Sequence, residues 1–306
     1  MKAGIVGTGG IGGYFGGLLA DRYSKSPDDS IIFVSRGSNL ERITEYGLKI
    51  IAQDKEISVK PDKVVDDPSS LGYLDLVIFA VKSYDLEQAA ETVYPCIGKN
   101  TTVITLLNGV NNAEVLSGLL PQCRLCNGCV YISSRIESPG VIRHVGGPGK
   151  IFFGPVQEKT ADFKPVEVFL QDAGINAELT EHIDVEVWKK YMFMSPFAGV
   201  TALKRQTFGE VLDDPESREM LESMMKELEK LARKKGVALP ADIVSSSLET
   251  GSRFPSATKS SLQLDFEAGK RSEIQTFAGY VVEEGRRLDI DVPVYELVYS
   301  RLASRE

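Results

Sequence analysis

Residues 1–13 read MKAGIVGTGGIGG, in which an apolar run from Lys2 to Val6 leads without a gap into the spacing G-x-G-x-x-G. In a dinucleotide-binding turn the first glycine allows a tight exit from a strand. The second lets the backbone approach a pyrophosphate, and the third lets the next helix pack closely. Glycine clusters also occur as flexible turns, but here a strand pattern precedes the loop and the helix-like YFGGLLADRY follows it. The predicted cofactor-binding residues of the loop are Gly7, Thr8, Gly9, Gly10, Ile11 and Gly12.

Composition narrows the class of protein. A chain of 306 residues with 42% hydrophobic and 25% charged residues suits one large or two moderate globular domains. Its net charge of −8 argues against nucleic acid or an anionic membrane as the main partner. No apolar run reaches the roughly 18 residues of a membrane span. The glycine-dense N-terminus makes a poor targeting segment, so the cytoplasm is the expected location.

The cysteines do not indicate a metal site. Cys123, Cys126 and Cys129 form C-x-x-C-x-x-C, part of an iron–sulfur pattern, but no fourth cysteine follows at close range. The pattern leads into a predicted strand, CVYIS, where positions three apart point to opposite faces. With only two histidines in the chain, a histidine-rich site is excluded. We therefore expect buried free thiols and no metal.

The order of apolar patterns predicts the fold class. The first half alternates short apolar runs with amphipathic stretches, which is typical of a parallel sheet with crossover helices. The predicted parallel strands are AGIV, SIIFVS, LDLVIFAV and TTVITLL. LKIIAQ and EISVK are predicted to form a hairpin around Asp54-Lys55. A more antiparallel extension of the sheet is predicted for CVYIS, VIRHV and KIFFG, with turns at Pro139-Gly140 and Gly146-Gly147-Pro148.

The composition shifts near Thr180, where helical patterns begin. The predicted helices are IDVEVWKKYMFMSPFAGVTAL, a charged helix ending at Gly236, and the ranges 241–250, 256–268, 273–288 and 294–303. We expect an α/β fold, with a Rossmann-type dinucleotide-binding domain (1–178) followed by a mostly helical domain (179–306). A homodimer is compatible with such a helical domain, although no apolar stripe demands one.

Polar residues lie at the carboxyl ends of three of the predicted parallel strands. Arg36 follows SIIFVS, Lys82 ends LDLVIFAV, and Asn108 follows TTVITLL. Ligands of doubly wound sheets bind beyond the carboxyl ends of the strands, so these residues would join the glycine loop at one edge. A single charge there can also reflect a solvated loop, but their joint occurrence favours a site. Ser35 and Arg36 stand where an NAD-binding acid would be expected, and a guanidinium suits a 2′-phosphate, which favours NADP.

Further motifs carry a family resemblance. They are GTGGIGGYFGGLLA, SRG, AVKSYD, LLNGV, PGVIRHVG, the W-x-K of Trp188-Lys189-Lys190, and SSLQLDFEAGKRSEI. Over nearly its whole length the chain resembles the ketopantoate reductase (2-dehydropantoate 2-reductase) family. In that family the helical domain folds against the nucleotide domain, and substrate lies in the cleft between them.

The resemblance implies a role for each matching residue. Lys190 and Glu273 would be the catalytic residues, and both would also bind substrate, which Glu273 would orient. Ser261 and Asn108 would contact substrate, Asn108 also lying near the nicotinamide, while Lys82 and Arg36 would serve the cofactor. From the residues alone, Lys190 also fits a solvated helix face, Glu273 a first-turn acid, and Ser261 a helix cap. The resemblance shifts all three toward function.

Two positions depart from the family pattern. The family usually has asparagine four and eight residues beyond the catalytic lysine, and here Met194 and Ala198 occupy these positions. The loss of two carboxamides weakens the assignment of one substrate, because a polar substrate arm loses hydrogen-bonding partners. The resemblance implies NADPH-dependent reduction of 2-dehydropantoate to pantoate in pantothenate biosynthesis. The alternatives are another 2-oxo acid or ketone as substrate, or an NADP(H)-sensing protein without turnover.

Overall fold

The computed structural model of the protein describes residues 1–52 and 55–305. The chain divides into two compact units, Met1–Ile183 and Asp184–Glu306. This division lies a few residues beyond position 178, where the sequence pattern puts the domain boundary. The first unit is built around a β-sheet, and the second consists of helices.

The first unit contains one sheet, which has ten strands among the described residues. The strands are β1 (Lys2–Val6), β2 (Ser30–Val34), β3 (Leu48–Ile51), β4 (Glu56–Val59), β5 (Lys63–Val65), β6 (Leu76–Phe79), β7 (Thr102–Thr105), β8 (Arg124–Ser138), β9 (Val141–Pro155) and β10 (Asn176–Leu179). Their order is β4-β3-β9-β8-β7-β6-β1-β2-β5, and β10 pairs with β9. From β5 to β8 every neighbouring pair is parallel, as expected for a Rossmann-type sheet.

Helices connect these strands, because parallel neighbours need crossover connections. They are α1 (Gly10–Tyr23), α2 (Gly37–Tyr46), α3 (Leu86–Val93), α4 (Asn112–Leu119) and α5 (Lys164–Asp172). The sheet is apolar on both faces. Along β6, Ile78 packs into one buried cluster while Val77 and Phe79 pack into the other, following the period of two along a strand.

The end of the sheet confirms one predicted turn and corrects another. β8 and β9 pair antiparallel as two 15-residue strands, and the turn at Pro139-Gly140 connects them. The prediction of a second turn at Gly146-Gly147-Pro148 was wrong, because these residues lie inside β9. There the register between the strands shifts and Gly147 has φ +83°. A bulge with glycine at positive φ bends a strand without ending it.

The predicted hairpin near residue 50 is confirmed in its strands. β3 and β4 pair antiparallel, with Leu48 opposite Val59 and Ile51 opposite Glu56. Asp54, which belongs to the predicted turn, lies outside the described residues.

The second unit is helical, as predicted. Its helices are α6 (Ile183–Lys204), α7 (Phe208–Asp213), α8 (Pro215–Lys234), α9 (Ile243–Ser252), α10 (Ser261–Glu267), α11 (Tyr280–Leu288) and α12 (Pro293–Ala303). α8 ends just before Gly236, as expected, and Gly236 has φ +82° and donates its N–H to the Arg233 carbonyl oxygen at 3.0 Å. Within the described part of the chain, no helix combines the length and the apolarity needed to cross a membrane.

Two helix predictions in this unit need correction. The helix predicted over 256–268 begins only at Ser261, because the side chain of Ser260 accepts the Gln263 N–H at 3.1 Å and caps α10 there. The helix predicted over 273–288 is not uniformly α-helical. Residues Gln275–Gly279 form a π-helical segment directly before α11. Such segments are rare and occur frequently at functional sites.

Candidate active site

The glycine loop follows β1 and is shaped by close backbone contacts. Gly7 has φ +92°, and a Cβ placed on it would lie 3.0 Å from the Ala80 carbonyl oxygen. A Cβ on Gly12 would clash with the carbonyl oxygen of Gly7. These two positions therefore require glycine for geometric reasons, and they bring the start of α1 against the end of β1.

Gly9 differs from its neighbours because it faces open space. It has an ordinary extended backbone with φ −72°, and no heavy atom of the described residues lies within 4 Å of a Cβ placed on it. Gly9 is also the residue before α1, where no described side chain forms a capping hydrogen bond and the first turn carries no acidic residue. The first N–H groups of a helix have no acceptor within the helix. This end of α1 is therefore suited to hold a phosphate.

The structure brings the predicted residues at the strand ends to one edge of the sheet. Arg36, Lys82 and Asn108 follow β2, β6 and β7, and the glycine loop follows β1. These four parallel strands are consecutive neighbours in the order β7-β6-β1-β2. The glycine loop and three polar side chains thus border the same edge.

At the end of β2 the polar groups divide into a buried pair and an exposed cation. The hydroxyl of Ser35 lies 2.5 Å from that of Thr8, and both residues are buried. Ser35 therefore ties the glycine loop to β2. The side chain of Arg36 is 68% exposed, which leaves its guanidinium as the accessible group at this strand end.

Arg36 also has a partner that sequence analysis missed. Its guanidinium forms an ion pair with the carboxylate of Asp85, and Nη1 lies 3.4 Å from Oε1 of Gln88. Asp85 is three residues beyond Lys82, in the motif AVKSYD, and an acid in that strand-end segment was the available signal. An incoming 2′-phosphate would have to compete with this carboxylate for the guanidinium.

In the helical unit the two proposed catalytic groups are buried. Lys190, on α6, is 9% exposed, and Glu273, two residues before the π-helical segment, is 4% exposed. The neighbouring Lys189 instead forms a partly exposed pair with Glu186, with Nζ 2.9 Å from Oε1. Burying an ammonium and a carboxylate is costly unless each is compensated. The alternative interpretation of Lys190 as a solvated lysine on a helix face is therefore wrong.

Ser261 is the first residue of α10, a different helix from the one that carries Lys190. Its side chain is exposed, and the hydroxyl of the preceding Ser260 lies 2.7 Å from that of Thr201 on α6. Thr201 is eleven residues beyond Lys190, roughly 16 Å along an α-helix. Ser260, and not Ser261, is the helix cap.

The two positions that depart from the family pattern are each next in the chain to an aromatic residue of α6. Met194 is partly buried, and Ala198 is 1% exposed. The ring of Phe197, next to Ala198, stacks on Phe208 at 4.6 Å, and the ring of Phe193, next to Met194, stacks on Phe254 at 5.3 Å. Sequence analysis did not predict this aromatic cluster. It makes this stretch of α6 apolar, without the two carboxamides.

The cysteines of the described residues form no disulfide. Cys126 is buried in the sheet, and burial raises the pKa of its thiol far above the usual value. Burial raises the pKa of the Cys123 thiol to about 11. Thiols in this state are poor metal ligands because the thiolate is the binding form. No group of three or more His, Cys, Asp or Glu residues in the described ranges could hold a metal ion.

Known proteins resemble the chain along its whole length. The family described as "Ketopantoate reductase PanE/ApbA" matches residues 3–158, and "Ketopantoate reductase PanE/ApbA C terminal" matches residues 182–306. A curated relative, the uncharacterized oxidoreductase YkpB of Bacillus subtilis, is 30% identical over 309 residues, covering 100% of this chain and 99% of the relative. The crystal structure of 2-dehydropantoate 2-reductase from Porphyromonas gingivalis W83 is 31% identical, with a TM-score of 0.86 and 99% of each chain covered.

A more distant solved structure shares the fold. The ternary structure of D-mandelate dehydrogenase with NADH and anilino(oxo)acetate has a TM-score of 0.88, covering 100% of this chain and 98% of that chain. At 19% sequence identity, this likeness shows the fold alone.

Proposed function

The chain belongs to the ketopantoate reductase family and is an oxidoreductase, and from that premise we propose that it reduces the ketone of a 2-oxo acid with NADPH. The leading substrate is 2-dehydropantoate, which would give pantoate for pantothenate biosynthesis. The observation that carries the proposal is the burial of Lys190 and Glu273 in the helical unit. A fold retains such costly groups most readily where chemistry needs them.

The chemistry follows from what a ketone requires on reduction. When bound, the dihydronicotinamide supplies a hydride to the ketone carbon. The carbonyl oxygen then develops negative charge, which needs a proton donor or a fixed positive charge. Lys190 donates a proton to this oxygen. Glu273 accepts a hydrogen bond from a substrate hydroxyl or holds the Lys190 ammonium, and Asn108 and Ser261 contact the substrate.

Residues of the first unit would bind the cofactor. The start of α1 at Gly9 offers N–H groups and open space to the pyrophosphate. Arg36 offers an exposed planar cation to the 2′-phosphate, and no acid directly ends β2 to select the ribose 2′-hydroxyl of NAD. Lys82, three residues beyond the end of β6, would also contact the cofactor. Together these features support NADPH over NADH.

A second candidate keeps the reaction and changes the substrate. Met194 and Ala198 replace two carboxamides, and the neighbouring rings of Phe193 and Phe197 make this stretch apolar. An apolar surface cannot satisfy the hydroxyls of a polar substrate arm. These residues favour a bulkier or less hydroxylated 2-oxo acid or ketone.

The experiment that tests the proposal is a substrate panel. NADPH consumption is measured with 2-dehydropantoate and with 2-oxo acids that carry aliphatic or aromatic arms. We expect turnover with at least one 2-oxo acid, and the order of kcat/KM across the panel separates the two candidate substrates.

One result of the same panel would contradict the proposal. Tight NADPH binding in a fluorescence titration, with no turnover on any panel member, would favour an NADP(H)-sensing protein. Such a protein needs the glycine loop and Arg36 but has little use for a buried lysine and glutamate.

Two alanine substitutions in the glycine loop should separate binding from folding. We expect Gly9→Ala to leave the melting temperature unchanged, because its Cβ meets no protein atom. The same Cβ fills the space that a pyrophosphate needs, so NADPH should bind about tenfold more weakly, roughly 1.4 kcal/mol. Gly12→Ala should instead destabilise the fold by about 1–3 kcal/mol, because its Cβ clashes with the Gly7 carbonyl oxygen.

Thermal melts and NADPH titrations of both variants check this pair. If Gly9→Ala bound NADPH as tightly as the natural chain, the loop would not be the pyrophosphate site.

A further inference from the structure

We propose that Tyr191 and Ser195 are positioning residues that hold the segment following Glu273 against α6, the helix that carries Lys190. They would fix the geometry of the two reacting side chains without touching substrate themselves. The inference rests on the proposed function, because that function gives Lys190 and Glu273 their roles.

Two hydrogen bonds form the tether. Tyr191, the residue after Lys190, donates its hydroxyl to the Thr276 carbonyl oxygen at 2.7 Å. One helical turn later, Ser195 donates its hydroxyl to the Phe277 carbonyl oxygen at 2.6 Å. Both acceptors lie three or four residues beyond Glu273. Two side chains that follow Lys190 on α6 are therefore hydrogen-bonded to the backbone that follows Glu273.

The acceptors belong to an unusual piece of backbone. Thr276 and Phe277 lie inside the π-helical segment Gln275–Gly279, where the turn is one residue wider than in an α-helix. A widened turn is less favourable than an α-helical one and persists where its surroundings stabilise it. The two side-chain donors from α6 provide that stabilisation, and they thereby fix the backbone directly after Glu273.

A third hydroxyl fixes the direction of the hydrogen bonds. A carbonyl oxygen can only accept, so the single proton of Ser195 points to Phe277 and Tyr295 must donate to Ser195, with the two oxygens 2.6 Å apart. Tyr295 is anchored in turn by Glu227 of α8. The carboxylate of Glu227 accepts the N–H groups of Val294 and Tyr295 at 3.0 and 3.1 Å.

The two tyrosines remain hydrogen-bond donors at physiological pH. Burial raises the pKa of Tyr191 and that of Tyr295 well above the usual value for a phenol. Both therefore keep their protons throughout the range in which an enzyme would work. The hydrogen bonds of the two tyrosines therefore do not change with pH in that range.

The test compares three conservative variants. Tyr191→Phe and Ser195→Ala remove one donor each and keep most of the packing, including the edge contact of the Tyr191 ring with Trp188 at 5.9 Å. Tyr299→Phe is the matched control, because its hydroxyl donates to Oε1 of Gln275 at 2.7 Å on an exposed side chain of the same segment.

We expect Tyr191→Phe and Ser195→Ala to lower kcat/KM for the best 2-oxo acid by about 5- to 10-fold, the effect of one lost hydrogen bond. NADPH affinity should not change. Amide hydrogen exchange over residues 273–281 should become faster in both variants. Tyr299→Phe should stay within about twofold of the natural chain, because exposed contacts contribute little.

A double-mutant cycle distinguishes positioning from general damage. If Tyr191 acts through Glu273, adding Tyr191→Phe to Glu273→Gln should cost almost nothing further, because the group it positions is already disabled. Additive losses would overturn the inference. So would unchanged amide exchange over residues 273–281 in Tyr191→Phe, whatever the turnover. Faster exchange in a protein that turns over no 2-oxo acid would overturn the proposed function and leave the tether standing.

Discussion

Replacing Lys190 with alanine is expected to lower kcat by about 100- to 10,000-fold, the range for a lost general acid. The reason is that the ketone oxygen takes up negative charge as hydride arrives, and Lys190 is the buried ammonium proposed to neutralise it. NADPH affinity should hardly change, because the cofactor residues lie in the first unit. Steady-state kinetics of NADPH consumption and a cofactor titration measure the two effects separately.

Lys189 supplies the matched control for this prediction. It is the preceding residue on α6, but its side chain is 38% exposed and pairs with Glu186. Lys189→Ala should keep kcat within about twofold, because the side chain of Lys189 is paired with Glu186 on the helix surface and is not the group proposed to donate a proton. Full turnover by Lys190→Ala would show that another group, or water, protonates the product.

Replacing Arg36 with alanine should remove most of the preference for NADPH over NADH. A charge-assisted hydrogen bond is worth about 1.5–3 kcal/mol, so we expect the ratio of kcat/KM values to fall by roughly 10- to 100-fold. Activity with NADH should change little, because NADH has no phosphate at that position. The measurement is kcat/KM for both cofactors in the natural chain and the variant.

Two further variants sharpen this test. Arg42→Ala removes a guanidinium from α2, the helix that begins directly after Arg36, but that group lies over the Tyr46 ring at 3.7 Å and should not affect cofactor choice. Asp85→Asn removes the carboxylate that competes for Arg36 and should strengthen NADPH binding. If the Arg36→Ala variant kept the same preference for NADPH over NADH, Arg36 would not bind the 2′-phosphate.

The first unit could be predicted well where local pattern and tertiary position agree. β1 and the glycine loop follow from an apolar run and a fixed glycine spacing, and Arg36, Lys82 and Asn108 follow from where apolar runs stop. β9 was misread because Gly146-Gly147-Pro148 has the composition of a turn. Only pairing with β8 over a long antiparallel stretch shows that these residues form a bulge within a continuous strand.

The sequence indicated candidate site residues but not the contacts that those residues and their neighbours make. The family resemblance named Lys190 and Glu273, but nothing in the sequence pairs Tyr191 with Thr276. Asp85 stands out only as an acid shortly after β6, and that position alone does not show that it meets Arg36. The Asp85 carboxylate meets a guanidinium 49 residues earlier, and Tyr191 meets a carbonyl 85 residues later. Contacts at such separation depend on tertiary packing, which one sequence does not specify locally.

The central claim is that the chain transfers hydride from NADPH to the ketone carbon of a 2-oxo acid. Its most direct test is the fate of deuterium from NADPH labelled at both positions of nicotinamide C4, incubated with 2-dehydropantoate or the best substrate of the panel. We predict one deuterium on C2 of the 2-hydroxy acid product, detected by mass spectrometry and NMR. An unlabelled product, or no product from any 2-oxo acid despite bound NADPH, would contradict the account.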